Sequence, residues 1–399
     1  MNNFTYSIPT TVHFGKGQIS QLADSVKACG SRVLLVYGGG SIKRNGVYDA
    51  ATALLAENGI PYFDLDGVEP NPRVETVARG VALCREHDID VIVALGGGSS
   101  IDCAKVIALS KNYEGNPWDL VTGEAEAPKE ILPVIAVLTL AATGSEMDGV
   151  AVISNMAQNR KLAVGHSAMR PKTAIMDPTY TFSVPKGQTA SGTADIFSHT
   201  LESFFSPVRS AYLQSQFCVA ILKTCLKYGP IALAEPDNYE ARANLMWAGS
   251  WAINDTLALG NEVPWVVHPM EHELSAYYDI THGVGLAILT PHWMRAALNE
   301  DSADRFVTLA TEVYGFDRNL PTMELANMAI DATAKFFFET LGLPSTLREV
   351  GIDETYLADM ADHCRERMMQ GYVALNYEET LGIFKAALYF QTKRIIYYE

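Results

Sequence analysis

The sequence predicts an α/β half built on a mostly parallel sheet, followed by an all-helical half. Over roughly the first 180 residues, short β-branched runs alternate with helical patterns. Two of those runs end in the same tetrad, Gly-Gly-Gly-Ser. From about residue 186 the β-branched runs thin out, and long helical patterns take over, separated by breaks such as SPVRS, AEPDN and ETLGLPST.

In chain order, FTYSIPTTVHFGKG (4–17) alternates like an exposed strand. RVLLVY (32–37) reads as a buried strand closed by Gly38-Gly39-Gly40-Ser41, and GIPYFDL (59–65) as a second. In VEPNPRVETVARGVALC, Asn71 and Pro72 read as an N-cap and a first-turn proline, and Val74, Val77, Ala78 and Val81 recur at helical spacing. DVIVALGGGSS (90–100) is a strand with a glycine turn, IDCAKVIALS continues as a helix, and LPVIAVLTL (132–140) is another strand. Such continuous apolar runs suit strands covered on both faces. Proline-bearing sequence at 177–185 places the boundary between the halves there, giving residues 1–183 and 184–399.

The bulk numbers narrow the function classes. With 399 residues, 48% hydrophobic and 19% charged, the chain can bury two cores. Its net charge of −16 and lack of a basic stripe exclude a nucleic-acid partner. The apolar stretch 131–142 falls short of the roughly 20 residues that span a bilayer, and the N-terminus lacks a basic-then-apolar leader, so no membrane partner is expected. Six scattered cysteines without a CxxC pair fit a reduced, cytoplasmic protein.

Each glycine turn lets backbone N–H groups approach phosphate oxygens at a helix start. Neither turn is GxGxxG. Two of them, at strand ends of one sheet, point to a dinucleotide. The first has no acid at its strand end, which leaves room for a ribose 2′-phosphate beside Lys43 and Arg44; solvated helix-start residues are the plainer account of that pair. Asp195 and His199 are four apart, one turn on a helix face, and so are His268 and His272. HPMEHE does not match HExxH. With His282 in THGVG, a carboxylate and several imidazoles on three segments could bind a divalent ion such as Fe(II) or Zn(II).

The stretches GTADIFSHTLES, HPMEHELSAYYDITHGVGLAIL, GGGSSIDCAK and LTLAATGSEM together resemble the iron-containing (group III) alcohol dehydrogenases, and within them the bacterial butanol dehydrogenases and aldehyde reductases. The resemblance runs from FGKG to at least LGLPSTLREVG (341–351). It implies a dinucleotide-binding α/β domain and a helical metal-binding domain, the dehydroquinate synthase-like architecture. It implies Asp195, His199, His268 and His282 as ligands of Fe(II), with Zn(II) as the alternative. It implies NAD(P)(H) contacts at Gly38, Gly39, Ser41, Asn71, Gly97, Gly98, Ser99, Asp102, Thr139, Thr143 and Lys161. His272 falls on a position near metal and nicotinamide, suited to proton relay, to positioning or to packing.

The expected activity is hydride transfer between nicotinamide and a small primary alcohol or aldehyde such as butanol or butanal. A polyol dehydrogenase of the glycerol type and a dehydroquinate synthase-like lyase are the alternatives. An apolar pocket is expected from Trp247, Trp251, Trp265 and Tyr277, which lie near the ligand segments in sequence. The resemblance also implies a homodimer joined through the N-terminal strand.

Overall fold

The structure is a computed structural model that describes residues 1–389; residues 390–399, the end of the expected helical half, lie outside the described residues. Eight strands form: β1 (Thr11–Phe14), β2 (Val33–Tyr37), β3 (Tyr62–Leu65), β4 (Val91–Gly96), β5 (Val134–Leu138), β6 (Val150–Asn155), β7 (Arg160–Gly165) and β8 (Thr173–Met176). Six of them make one parallel sheet in the order β1-β8-β5-β4-β2-β3. Helices α1 (Leu22–Cys29), α2 (Ser41–Arg44), α3 (Val47–Glu57), α4 (Val74–Glu86), α5 (Gly98–Ser110) and α6 (Pro117–Thr122) accompany it.

Alternation along the strands builds two separate cores, because successive side chains leave opposite faces. Val33, Leu35, Val91, Val93, Ile135 and Ile175 pack with α1 and α3. Leu34, Val36, Ile92, Ala94, Ala136 and Ala174 pack with α4, α5 and α6. With both faces covered, no polar alternation remains in the sequence of the central strands.

The second half is helical: α7 (Lys186–Phe204), α8 (Tyr212–Ala234), α9 (Tyr239–Ile253), α10 (Val267–Tyr278), α11 (His282–Ala297), α12 (Ala303–Thr308), α13 (Thr322–Lys335), α14 (Leu357–Met369) and α15 (Tyr377–Ala387). Its core holds Phe197, Phe204, Phe205, Trp293, Phe306, Phe337 and Phe384. By length and composition α8 could cross a membrane, but here it packs along α7 and α9.

Two local expectations are corrected, and one element lies beyond what was expected. The N-terminal strand is only Thr11–Phe14, at the sheet edge; residues 1–10 are irregular, and Asn2 N–H donates to the Gly260 carbonyl at 3.0 Å. Asn71 does not cap α4. The capping position is Arg73, without a side-chain cap, because the Asn71 amide is spent on distant partners. Between β5 and β8 the chain also makes an antiparallel hairpin, β6–β7, outside the main sheet.

Candidate active site

Three helices of the second half converge on Asp195. That residue and His199 lie on the buried face of α7 one turn apart, with His199 Nδ1 3.2 Å from Asp195 Oδ1. His268, on the first turn of α10, points Nε2 at the same oxygen from 4.0 Å. His282, the first residue of α11, places Nε2 3.7 Å from it. α11 reaches α7 this closely because residue 283 is glycine: a Cβ there would collide with the Ser191 carbonyl.

The cluster is buried yet incompletely bonded. Asp195 Oδ1, His199 Nδ1 and His268 Nε2 have no hydrogen-bond partner. Orphaned polar atoms at such depth cost free energy unless something else satisfies them. Burial raises the Asp195 carboxyl above its usual range against the pull of His282 and His268, and it holds His199 well below the usual imidazole range. Asp195, His268 and His282 bring a carboxylate oxygen and two imidazole nitrogens within 4.8 Å of one another, a donor set that fits a divalent ion, and His199 stands beside it with Nδ1 against Asp195.

Two carboxylates missed by the sequence reading orient the rings. Glu202, on α7 two turns beyond Asp195, accepts from His268 Nδ1 at 3.1 Å and from the backbone N–H groups of Val266, Val267 and His268. Glu271 pairs with His282 Nδ1, and its carboxyl also accepts from Ser275 Oγ and meets Lys161 Nζ at 3.3 Å. Burial pushes Glu271 up, but His282 and Lys161 outweigh it and leave the carboxyl below its usual range. A proton on each Nδ1 satisfies its carboxylate and leaves the Nε2 lone pair for the site. A signal for Glu202 was present in the sequence, since positions 195, 199 and 202 share one helix face.

His272 stands one turn after His268, half-buried, its ring centroid 5.7 Å from that of His282. Among the described residues no group hydrogen-bonds it, and burial, then Lys161, holds it well below the usual imidazole range. Of the aromatic residues expected around the site, only Trp265 meets it: its indole lies edge-on to His199 and His268, at centroid distances of 5.9 and 5.1 Å. Trp247 and Trp251 meet Phe14 and Phe217 edge-to-face instead, and Tyr277 packs on Tyr356. Nearness in sequence misled there, because the helical spacing sends those rings to other faces.

The expected nucleotide residues gather at strand ends. Gly38, Gly39 and Ser41 form the turn between β2 and α2, where Lys43 Nζ sits 5.0 Å over the Tyr37 ring and 4.8 Å over that of Tyr48. Gly97 and Gly98 open α5, and a Cβ on Gly98 would collide with the Thr143 side chain. Thr139 lies beside that turn, its N–H bonded to the Gly96 carbonyl at 2.9 Å. Asp102 faces inward, accepting from Ser145 Oγ at 2.5 Å and Val152 N–H at 2.9 Å. Ser99 Oγ donates to the Pro70 carbonyl, and the next residue, Asn71, reaches the α10–α11 turn, so the second glycine turn is tied to the histidine cluster. A cavity of 730 Å³ lies between the starts of α7 and α11 and the 340–344 loop; Thr281 borders it, but none of the four clustered residues does.

Comparisons with known proteins bear on the family of the chain. The family model of iron-containing alcohol dehydrogenases matches residues 9–178, and the model of that family's C-terminal domain matches residues 189–388. NADH-dependent butanol dehydrogenase A of Clostridium acetobutylicum is 56% identical over 389 residues, 96% of this chain and 99% of that protein. NADPH-dependent aldehyde reductase YqhD of Escherichia coli is 36% identical over 385 residues, 96% of this chain and 98% of that protein. The crystal structure of NADH-dependent butanol dehydrogenase A from Thermotoga maritima superimposes with a TM-score of 0.92 at 34% identity, covering 98% of this chain and 99% of that one.

Proposed function

Because the chain belongs to the iron-containing alcohol dehydrogenase family, whose members are oxidoreductases, we propose that it transfers hydride between NAD(P)H and a short primary aldehyde, and in reverse from the alcohol, with butanal and butanol as the test pair. The observation that carries the reading is the convergence of Asp195, His199, His268 and His282 with three buried atoms left unbonded. When bound, a divalent ion supplies Lewis acidity toward the substrate oxygen and the nicotinamide supplies the hydride.

The chain's own residues do the rest. Asp195, His199, His268 and His282 hold the ion, Fe(II) or alternatively Zn(II), while Glu202 and Glu271 fix the two ring orientations. Gly38, Gly39, Ser41, Gly97, Gly98, Ser99, Thr139, Thr143 and Lys161 line the dinucleotide side, with Asn71 and Asp102 bracing it. The acid-free first turn accepts a 2′-hydroxyl or a 2′-phosphate, and relatives named for NADH and for NADPH are both at hand. His272, without a hydrogen-bond partner among the described residues, moves a proton at a ring nitrogen or positions the nicotinamide. The Trp265 edge gives the site an apolar wall suited to an unbranched aliphatic chain.

We place the enzyme in the cytoplasm, in keeping with six unbridged cysteines, and as a homodimer through the edge strand β1. The test is NAD(P)H oxidation with butanal, before and after removal of metal by chelator. Absence of chelator-sensitive turnover with every simple aldehyde would sink the reading. Preference for glycerol over butanol would favour the polyol alternative instead.

A further inference from the structure

The turn that presents His282 is fastened by the other half of the molecule. α10 ends at Tyr278 with Asp279 capping it in left-handed conformation, φ 51°, and α11 begins three residues after Asp279 with His282. Asn71 Nδ2 donates to Asp279 Oδ1 at 2.8 Å and to the Ile280 carbonyl at 3.2 Å. The Arg73 guanidinium meets Asp279 Oδ2 at 3.3 Å. From the β6–β7 hairpin, Lys161 Nζ donates to Asn71 Oδ1 at 3.0 Å and meets Glu271 Oε2 at 3.3 Å, the oxygen that pairs with His282 Nδ1. Asn71, Lys161 and Glu271 are all buried. Both ends of the Asn71 amide are therefore committed, one to the α10–α11 turn and one to the lysine that steadies Glu271.

We propose that Asn71, Lys161 and Arg73 are positioning residues for the metal site: they hold His282 in place from the α/β half, so that retention of the ion depends on contact between the halves. The proposal rests on the reading of Asp195, His199, His268 and His282 as ligands, and it gives Asn71 and Lys161 a task separate from cofactor contact. The asymmetry of the cluster supports it. His199 and His268 have 5% and 6% of their side chains exposed, and His268 is anchored to Glu202 within the helical half. His282 is 21% exposed, and the carboxylate on its Nδ1, Glu271, is itself held by Lys161. Outer partners of metal ligands typically account for about 10–100-fold in affinity.

The test loads the full chain with Co(II), without dinucleotide or substrate, and follows Co(II) release into excess EDTA by its visible absorption. Asn71→Ala and Lys161→Met should release the ion about 10–100-fold faster than wild type. Arg73→Ala, at the exposed end of the clamp, should release it a few-fold faster. Thermal melts of the metal-free variants identify any that fail to fold, and Arg73→Ala keeps the question open to measurement in that event. Ser41→Ala, in the first glycine turn, should alter dinucleotide affinity and leave Co(II) release unchanged. Release within twofold of wild type for all three clamp variants, with losses confined to dinucleotide binding, overturns the proposal. Failure of the wild-type protein to take up Co(II) is a different result, and it overturns the ligand assignment itself.

Discussion

Replacing Glu202 with glutamine tests whether the metal site is held from behind. The carboxylate is buried, and its two oxygens accept five contacts: Oε1 from Val266, Val267 and His268 N–H and from His268 Nδ1, and Oε2 from Val266 N–H at 3.0 Å. Glutamine keeps the volume but has one acceptor. Whichever way the amide turns, its NH2 must face a donor, which leaves a buried N–H unsatisfied at about 1–3 kcal/mol. The lost negative charge at the start of α10 adds about 0.3–1 kcal/mol, up to ~2 when buried. A fall in unfolding free energy of about 2–4 kcal/mol follows from these two costs. His268 loses the partner that fixes its tautomer, so affinity for Zn(II) should fall about 10–100-fold. Urea unfolding of the metal-free protein and Zn(II) competition against a chromogenic chelator measure the two effects separately. If Zn(II) affinity is unchanged while stability falls, Glu202 only caps the helix and the orienting argument is wrong.

Three further outcomes are expected. His272→Ala should retain its metal by elemental analysis but lose about 10²–10⁴-fold in kcat with a changed pH profile; full kcat at every pH would end the relay reading. Lys105, fully buried against Asp148, Ser145 Oγ and the Val150 carbonyl, should cost about 3–5 kcal/mol when changed to Met, measured by urea unfolding. Burial already lifts the Asp148 carboxyl to about 7, so the folded state binds the proton more tightly than the unfolded chain; stability drawn from this group falls as pH rises from about 4 toward 7, and without Lys105, whose charge lowers it, the fall should extend to higher pH. His292 is lowered to about 4 by burial, then Arg295, so the unfolded chain takes up its proton first; stability should decline as pH drops from 6.5 to 4, and His292→Asn should flatten that decline in unfolding curves.

The parts of the molecule that were legible in the sequence are those where one local rule decides. β2, β4 and β5 were visible because a strand covered on both faces has no polar residue to break its run. The hairpin β6–β7 escaped because the one buried position of β7 is Lys161 while Leu162 and Val164 are only half-buried, so its burial pattern is not written in the sequence as apolar alternation. Family membership was carried by the ordered motifs around Asp195 and His268, and the family models match across both halves. Asn71 marks the limit of local reading. Asparagine before proline and an apolar helix looks like a cap, because capping rules search only the next three residues. The partner that claims its amide, Asp279, lies 208 residues away, on a turn that no local pattern connects to it. Only the packing of the two halves brings them together, and there a residue that reads as ordinary helix punctuation becomes the contact on which the placement of His282 depends.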